Sequence, residues 1–451
     1  MTGASLSRWT MSYFAAALTA LVIAEVLMAA GYGFPAAAIG APQTLILVHL
    51  VTIGWLSLLT CGALFQFVPV LIAKPLYSDT LPLPALFSLL AGLVALILGF
   101  LQLGGQVEGG LPLLAIAGGL LGLGFALVLW NLGCTLWRAR PLPLPARFVA
   151  AGLAGLTATV LLGATFAVVL GGTTQWAPLV ALTGSALPIH AIAGLGGWLT
   201  LVAMGVSYRL LAMFMLAPEL DGRRPRAVLA LGTTALAIAV LGGPMTILLD
   251  VASGPVLALA GLAGLIALGL YGTDVVHLYR DRKRRKIELN SYMAALALVS
   301  LIAVPLLFIA LLVLGRLSDG VAAVVFLVAF GWLSGLGLGK LYKIVPFLTW
   351  LECYGPVLGK TPTPRVQDLV VEKHAAKWFL FYFLAVWVGT GALIVGANAA
   401  FQGAAAAMLV ATAGIVNQLV RARRLADVTP ALRAPQGVRQ PRLLLSLSHR
   451  T

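Results

Sequence analysis

The sequence predicts an all-α integral membrane protein with twelve transmembrane helices in three pseudo-threefold four-helix units. Composition and an internal repeat predict it. Of 451 residues, 61% are hydrophobic and 10% charged, against about 25% charged in soluble globules. Mean hydropathy is +1.03. A segment then recurs three times, as Gly54-Trp55-Leu56-Ser57, Gly197-Trp198-Leu199-Thr200 and Gly331-Trp332-Leu333-Ser334. A repeat fixes architecture before any motif suggests a chemistry.

The first observation defines the elements. Apolar runs of about 20 residues, enough to cross about 30 Å of hydrocarbon as helix, fall at 11–31, 42–71, 83–103, 112–137, 147–171, 183–216, 227–250, 255–279, 290–315, 320–350, 376–396 and 401–420. They form one membrane domain over 1–425, with repeat units at 11–137, 147–279 and 290–420 and a basic cytoplasmic tail at 426–451. The first run is too long, and too plainly part of the repeat, for a cleaved signal peptide.

The second observation groups the elements. The copies lie 143 and 134 residues apart, about one four-helix unit, and fall in spans two, six and ten. Eight residues after each leading glycine stand Gly62, Gly205 and Gly339, and eleven after it Phe65, Tyr208 and Tyr342. Twelve after it come Gln66, Arg209 and Lys343, and fifteen after it Pro69, Ala212 and Pro346. On a 3.6-residue helix Gly54, Phe65 and Pro69 lie within about 60° of one another. The stripe reads as a packing seam, because small residues let membrane helices approach closely. The prolines should bend or end their helices. Arg209 and Lys343 should snorkel to the cytoplasmic surface.

Basic residues set the orientation. Arg138, Arg140 and Arg147 flank loop four–five, Arg223, Arg224 and Arg226 loop six–seven, and Arg280 to Lys286 fill loop eight–nine. Lys360, Arg365, Lys373 and Lys377 mark loop ten–eleven. The region after span twelve adds Arg421, Arg423, Arg424, Arg433, Arg439, Arg442 and Arg450. All lie on one face, which puts both termini in the cytoplasm. This topology accounts for the net charge of +15, so the bilayer is the expected partner and nucleic acid is not. Cys61, Cys134 and Cys353 show no metal spacing and no disulfide framework, and Cys353 reads as a free thiol at a cytoplasmic helix end.

Chemistry should sit on ionisable groups inside the hydrocarbon, which cost several kcal/mol to bury without a partner or a role. Glu25 lies about six residues before the outer end of span one, and His49 about seven after the start of span two. Both are roughly 10 Å below the outer surface. A carboxylate beside an imidazole fixes its tautomer, so the two are expected in contact. His190 lies in the outer third of span six, where a hydrogen-bonded packing role is the alternative to ligation. His277, His374 and His449 read as solvated.

With these residues placed, the phrases HLVTIGWLSLLTCGALFQFVPV (49–70), HAIAGLGGWLTLVAMGVSYRLLAMF (190–214) and GWLSGLGLGKLYKIVPFLTW (331–350) are similar to bacterial proteins described as subunit-I-like. The chain resembles subunit I of the heme-copper oxidase and nitric oxide reductase superfamily over roughly residues 10–420. The resemblance implies that His49 stands where the superfamily has an axial ligand of the low-spin heme, and that His190 roughly matches a copper ligand. It departs from the superfamily elsewhere. Spans seven and ten hold no histidine, and Ile192 and Phe326 occupy the repeat position of His49. A complete heme-copper centre is therefore not expected.

The implied function is a b-heme-binding or formerly heme-binding subunit in respiratory or nitrogen-oxide-linked electron transfer. It would be no complete oxidase or reductase alone, with heme b as its cofactor, copper not expected, and a redox partner subunit or a second copy as its partner. A non-redox carrier or channel for a small ligand, metal or heme, and a structural subunit of a redox complex, stay open as alternatives. A Soret band in purified protein separates the first from the others.

Overall fold

A computed structural model describes residues 8–433 and 440–445. His449, Arg439 and Arg450 lie outside the described residues. Among the described residues there is no β-strand, and twelve helices are long and apolar enough to cross a membrane. They are α1 (Thr10–Ala29), α2 (Pro42–Ile72), α3 (Pro82–Leu103), α4 (Leu113–Trp137), α5 (Leu144–Leu170), α6 (Leu187–Met215), α7 (Arg223–Leu248), α8 (Gly254–Arg280), α9 (Leu289–Val313), α10 (Leu317–Val357), α11 (Glu372–Val395) and α12 (Asn398–Arg423). This is a multi-pass membrane protein. Helices are the solution because hydrocarbon offers no partner to a backbone N–H or C=O. Pro42 and Pro82 start theirs with a residue whose missing N–H needs no acceptor there.

The helix bounds shift by a few residues from the hydropathy reading, and by seven at the end of α10, and two local features differ. A short helix, Ala177–Ser185, precedes α6 and ends before Leu187. Pro346 lies inside a helix that runs from Gly335 to Tyr354, so it does not end it.

The chain divides into two compact units. The first comprises the described residues of Met1–Ile39, Gly54–Gln66 and Ile287–Thr451, and therefore holds α1, the middle of α2, and α9 to α12. Within it α12 packs against α1, α10 and α11, and α9 against α10. The second comprises Gly40–Ile53 and Phe67–Lys286, with α3 to α8. There the start of α2 packs on α3, α3 on α4, α4 on α5, α5 on α6, and α7 on α8.

The repeat has a local geometry that hydropathy does not reveal. All three Gly-Trp segments lie in π-helical stretches, Leu50–Ser57, Ile192–Thr200 and Leu327–Ser334. A π turn bonds i to i+5 and is wider than an α turn, so the stripe drawn from 3.6-residue geometry is displaced at its Gly-Trp end. Trp55, Trp198 and Trp332 are almost wholly buried. In the first unit Trp55 Nε1 donates to Ser334 Oγ at 2.8 Å, and that hydroxyl donates to Ala329 O at 2.6 Å.

The second glycine of each copy is a close-packing point. A Cβ on Gly62 would meet Tyr13 Cβ of α1 at 2.6 Å, one on Gly205 would meet Phe148 Cβ of α5 at 2.4 Å, and one on Gly339 would meet Met293 Cβ of α9 at 3.1 Å. Phe65 and Tyr208 then set their rings against Tyr13 and Phe148, with centroids 5.6 and 5.5 Å apart. The seam reading of these glycines fits this packing.

Candidate functional site

His49 ends the first α-helical stretch of α2, immediately before the π turn that opens at Leu50. His190 stands two residues before the π stretch of α6. Both belong to the second unit, and their imidazoles lie within electrostatic range of each other.

His49 Nδ1 is 2.7 Å from Leu45 O, one turn back in its own helix. A carbonyl can only accept, so Nδ1 carries the proton and Nε2 keeps a lone pair. The Phe100 ring of α3 packs at 5.3 Å between centroids. His190 hydrogen-bonds the Thr159 backbone of α5, while its Nδ1 is buried with no hydrogen-bond partner. Phe166 flanks the ring at 5.4 Å. Gly163 makes room for it, since a Cβ there would lie 3.2 Å from His190 Cε1. Each imidazole is thus oriented by backbone through one nitrogen and can offer the other to an electrophile or a metal. Either nitrogen could serve as a metal donor, and no group of three or more His, Cys, Asp or Glu accompanies the pair among the described residues.

The sequence expectation pairs Glu25 with His49, and the hydrogen bond that the structure shows for Glu25 lies within the first unit. Glu25 is wholly buried there, where Oε1 accepts from Thr412 Oγ1 of α12 at 2.9 Å and Oε2 has no hydrogen-bond partner. Tyr382 of α11 is its electrostatic neighbour, and that hydroxyl donates to Phe330 O at 3.2 Å. Glu25 and His49 fall in different units, and each is hydrogen-bonded within its own.

Several buried charges escaped the sequence reading. Asp274 accepts from Tyr208 Oη at 2.8 Å and pairs with Arg224 at 3.4 Å. Arg423 and Glu352 form an ion pair at 2.9 Å with side chains 4% and 0% exposed. Lys340 lies inside α10 at 7% exposure. Its position in an apolar run was the available signal; the pairings of the others are invisible without the fold. Lys343 and Arg209, expected to snorkel, pair with Glu288 at 2.6 Å and with Glu219, both in loops outside the spans. Cys353 is buried against Tyr354, Leu369 and Leu425, so it is a core thiol and no surface one. His277, paired with Asp281, and His374 are exposed as expected.

No protein-family model matches this chain, and a search of curated proteins finds no similar sequence.

Proposed function

We propose that this chain is a heme-copper oxidase subunit-I-like membrane protein that holds a b-type heme through His49, with His190 as the second imidazole, and serves respiratory or nitrogen-oxide-linked electron transfer. The observation that carries this reading is the pair itself: two imidazoles in electrostatic range, each bonded to backbone on one nitrogen and free to ligate through the other. When bound, such a heme supplies one-electron chemistry and a site for small gases. The protein's share is orientation and exclusion of water. Leu45 O fixes the tautomer of His49 and raises the basicity of Nε2. Phe100 and Phe166 cover the ring faces. Spans seven and ten hold no histidine, so a copper centre is not part of the proposal.

The same proposal arranges the helices as three groups of four, α1–α4, α5–α8 and α9–α12. Gly62, Gly205 and Gly339 support it, because the second helix of each group meets the first through the same repeat position. Both termini are assigned to the cytoplasm of a bacterial inner membrane, and Lys283→Cys should resist labelling from outside intact cells. Labelling from outside would reverse the orientation.

The decisive measurement is a pyridine hemochrome assay on protein made in heme-replete cells. A Soret band is expected for the native chain, its loss in His49→Ala, and a change from six- to five-coordinate absorption in His190→Ala. Heme-free native protein, or an unchanged heme content in His49→Ala, would overturn the proposal.

A further inference from the structure

The second unit carries a groove between α4 and α5, independent of the histidine pair. Its volume is about 350 Å³, and its apolar wall is formed by Leu129, Gly133, Leu136, Ala150 and Ala154, with Thr157 at one end and Trp137 and Arg140 at the other. Gly133, Ala150 and Ala154 make the hollow, since larger side chains would project into it. Along α5 the lining runs from Ala150 to Thr157, about 10 Å of helix. Half the thickness of a bilayer's hydrocarbon is about 15 Å, so the hollow takes the greater part of one acyl chain.

Charge is confined to one end. The Arg140 guanidinium lies over the Trp137 ring, 3.6 Å from its centroid, and Trp137 is 66% exposed. A guanidinium can hold an aromatic ring on its face and still offer its edge N–H groups to a phosphate. Arg138 and Arg147 belong to the same loop region but do not line the groove. The loop that carries them is held in place: Lys74 Nζ donates to Arg138 O at 2.7 Å, Arg138 lies over the Tyr77 ring at 4.4 Å, and Arg147 Nε donates to Leu142 O at 2.9 Å. An aromatic and a cation at the rim of an apolar slot match the amphipathic profile of a lipid at the membrane interface.

We propose that this groove binds an anionic phospholipid, with its phosphate on Arg140 and one acyl chain along Gly133, Ala150 and Ala154. A free phosphate would leave the apolar length unfilled, and a zwitterionic lipid would set its own cation against Arg140.

The test is native mass spectrometry of the full chain, delipidated in neutral detergent and then given phosphatidylglycerol or phosphatidylcholine with the same acyl chains. The native chain should retain the anionic lipid severalfold better. Arg140→Gln should weaken that retention about tenfold, the effect of one charge-assisted hydrogen bond. Ala154→Leu, which fills the slot, should weaken both lipids. Arg285→Gln, at an exposed position in another basic loop, should change neither. Equal retention of the two lipids by the native chain would overturn the proposal. So would unchanged phosphatidylglycerol binding in Arg140→Gln or Ala154→Leu, or a loss in Arg285→Gln as large as in Arg140→Gln.

Discussion

Replacing Arg423 by Met should be among the costliest single changes at the ends of the helices. Arg423 closes α12, and its Nη1 donates to Glu352 Oε2 at 2.9 Å and to Thr349 Oγ1 at 3.0 Å, both on α10. Its Nη2 also reaches Arg442 O. Both side chains of the pair are out of water, at 4% and 0% exposure. Unit charges about 4 Å apart at an effective dielectric near 20 attract by about 4 kcal/mol, and desolvation offsets much of that. The asymmetry decides the outcome, because removing one partner strands the other charge in the interior at a cost of about 3–5 kcal/mol. Arg423→Met should therefore lose about that much unfolding free energy in a denaturant titration in mixed micelles. Glu352→Gln keeps an acceptor for the guanidinium and should lose about 1.5–3 kcal/mol. The double change Arg423→Met with Glu352→Met strands no charge, so its cost should fall well below the sum of the single changes. A loss under about 1 kcal/mol for Arg423→Met, or strict additivity in the cycle, would refute the argument.

Three further outcomes are expected. Gly163→Ala puts a Cβ 3.2 Å from His190 Cε1, so it should change the His190-dependent absorption with little change in stability; an unaltered spectrum would remove Gly163 as the support of that ring. Glu25→Gln preserves an acceptor for Thr412 and should cost under about 1 kcal/mol, whereas Glu25→Ala strands a buried hydroxyl and opens a void, at about 2–4 kcal/mol by the same titration; equal costs would show that the carboxylate charge, not the hydrogen bond, matters. Between α10 and α11, the turn at Val366–Leu369 is closed by Arg365 and Asp368, whose carboxyl is held below its ordinary value by the Arg365 hydrogen bond. A depressed carboxyl stabilises above its unfolded pKa of about 3.9 and loses that contribution as pH falls through the folded value. Amide exchange at Val366–Leu369, corrected for intrinsic rate, should therefore rise at pH 3 relative to pH 5, and an unchanged protection would count against the turn's dependence on that carboxylate.

The spans were legible because hydrocarbon selects helices by apolar length alone, and length is a property of the sequence. Where they begin and end was less so. At Ser185–Leu187 an apolar run continues while the helix breaks, and at Pro346, a residue expected to bend or end its helix, the helix continues. The candidate histidines were legible for the same reason as the spans, since an ionisable group in an apolar run stands out. Their partners were not. Thr412 is 387 residues from Glu25 and Glu352 is 71 from Arg423, and depth in the membrane carries no information about the direction in which a side chain points. Matched depth suggested Glu25 for His49, but it could not show that the carbonyl one turn away bonds Nδ1 of that ring.

The π stretches explain why a repeat can carry packing three times and chemistry in fewer places. Each stretch opens next to the position five residues before the Gly-Trp glycine, held by His49, Ile192 and Phe326. At Phe326 that position is filled by aromatic packing, with Phe330 at 4.8 Å and Phe401 at 5.4 Å between centroids. At His49 the same position presents an imidazole whose Nδ1 is spoken for and whose Nε2 is not. His190, two residues out of that register, leaves its helix about 200° around from Ile192, yet its ring comes within electrostatic range of His49. The repeat alone would not produce that convergence, because equivalent positions on equivalent helices point in equivalent directions. A departure from the repeat at His190, with Gly163 leaving room for its ring, is what a functional site added to a repeated scaffold would require, because function lives in sites grafted on folds.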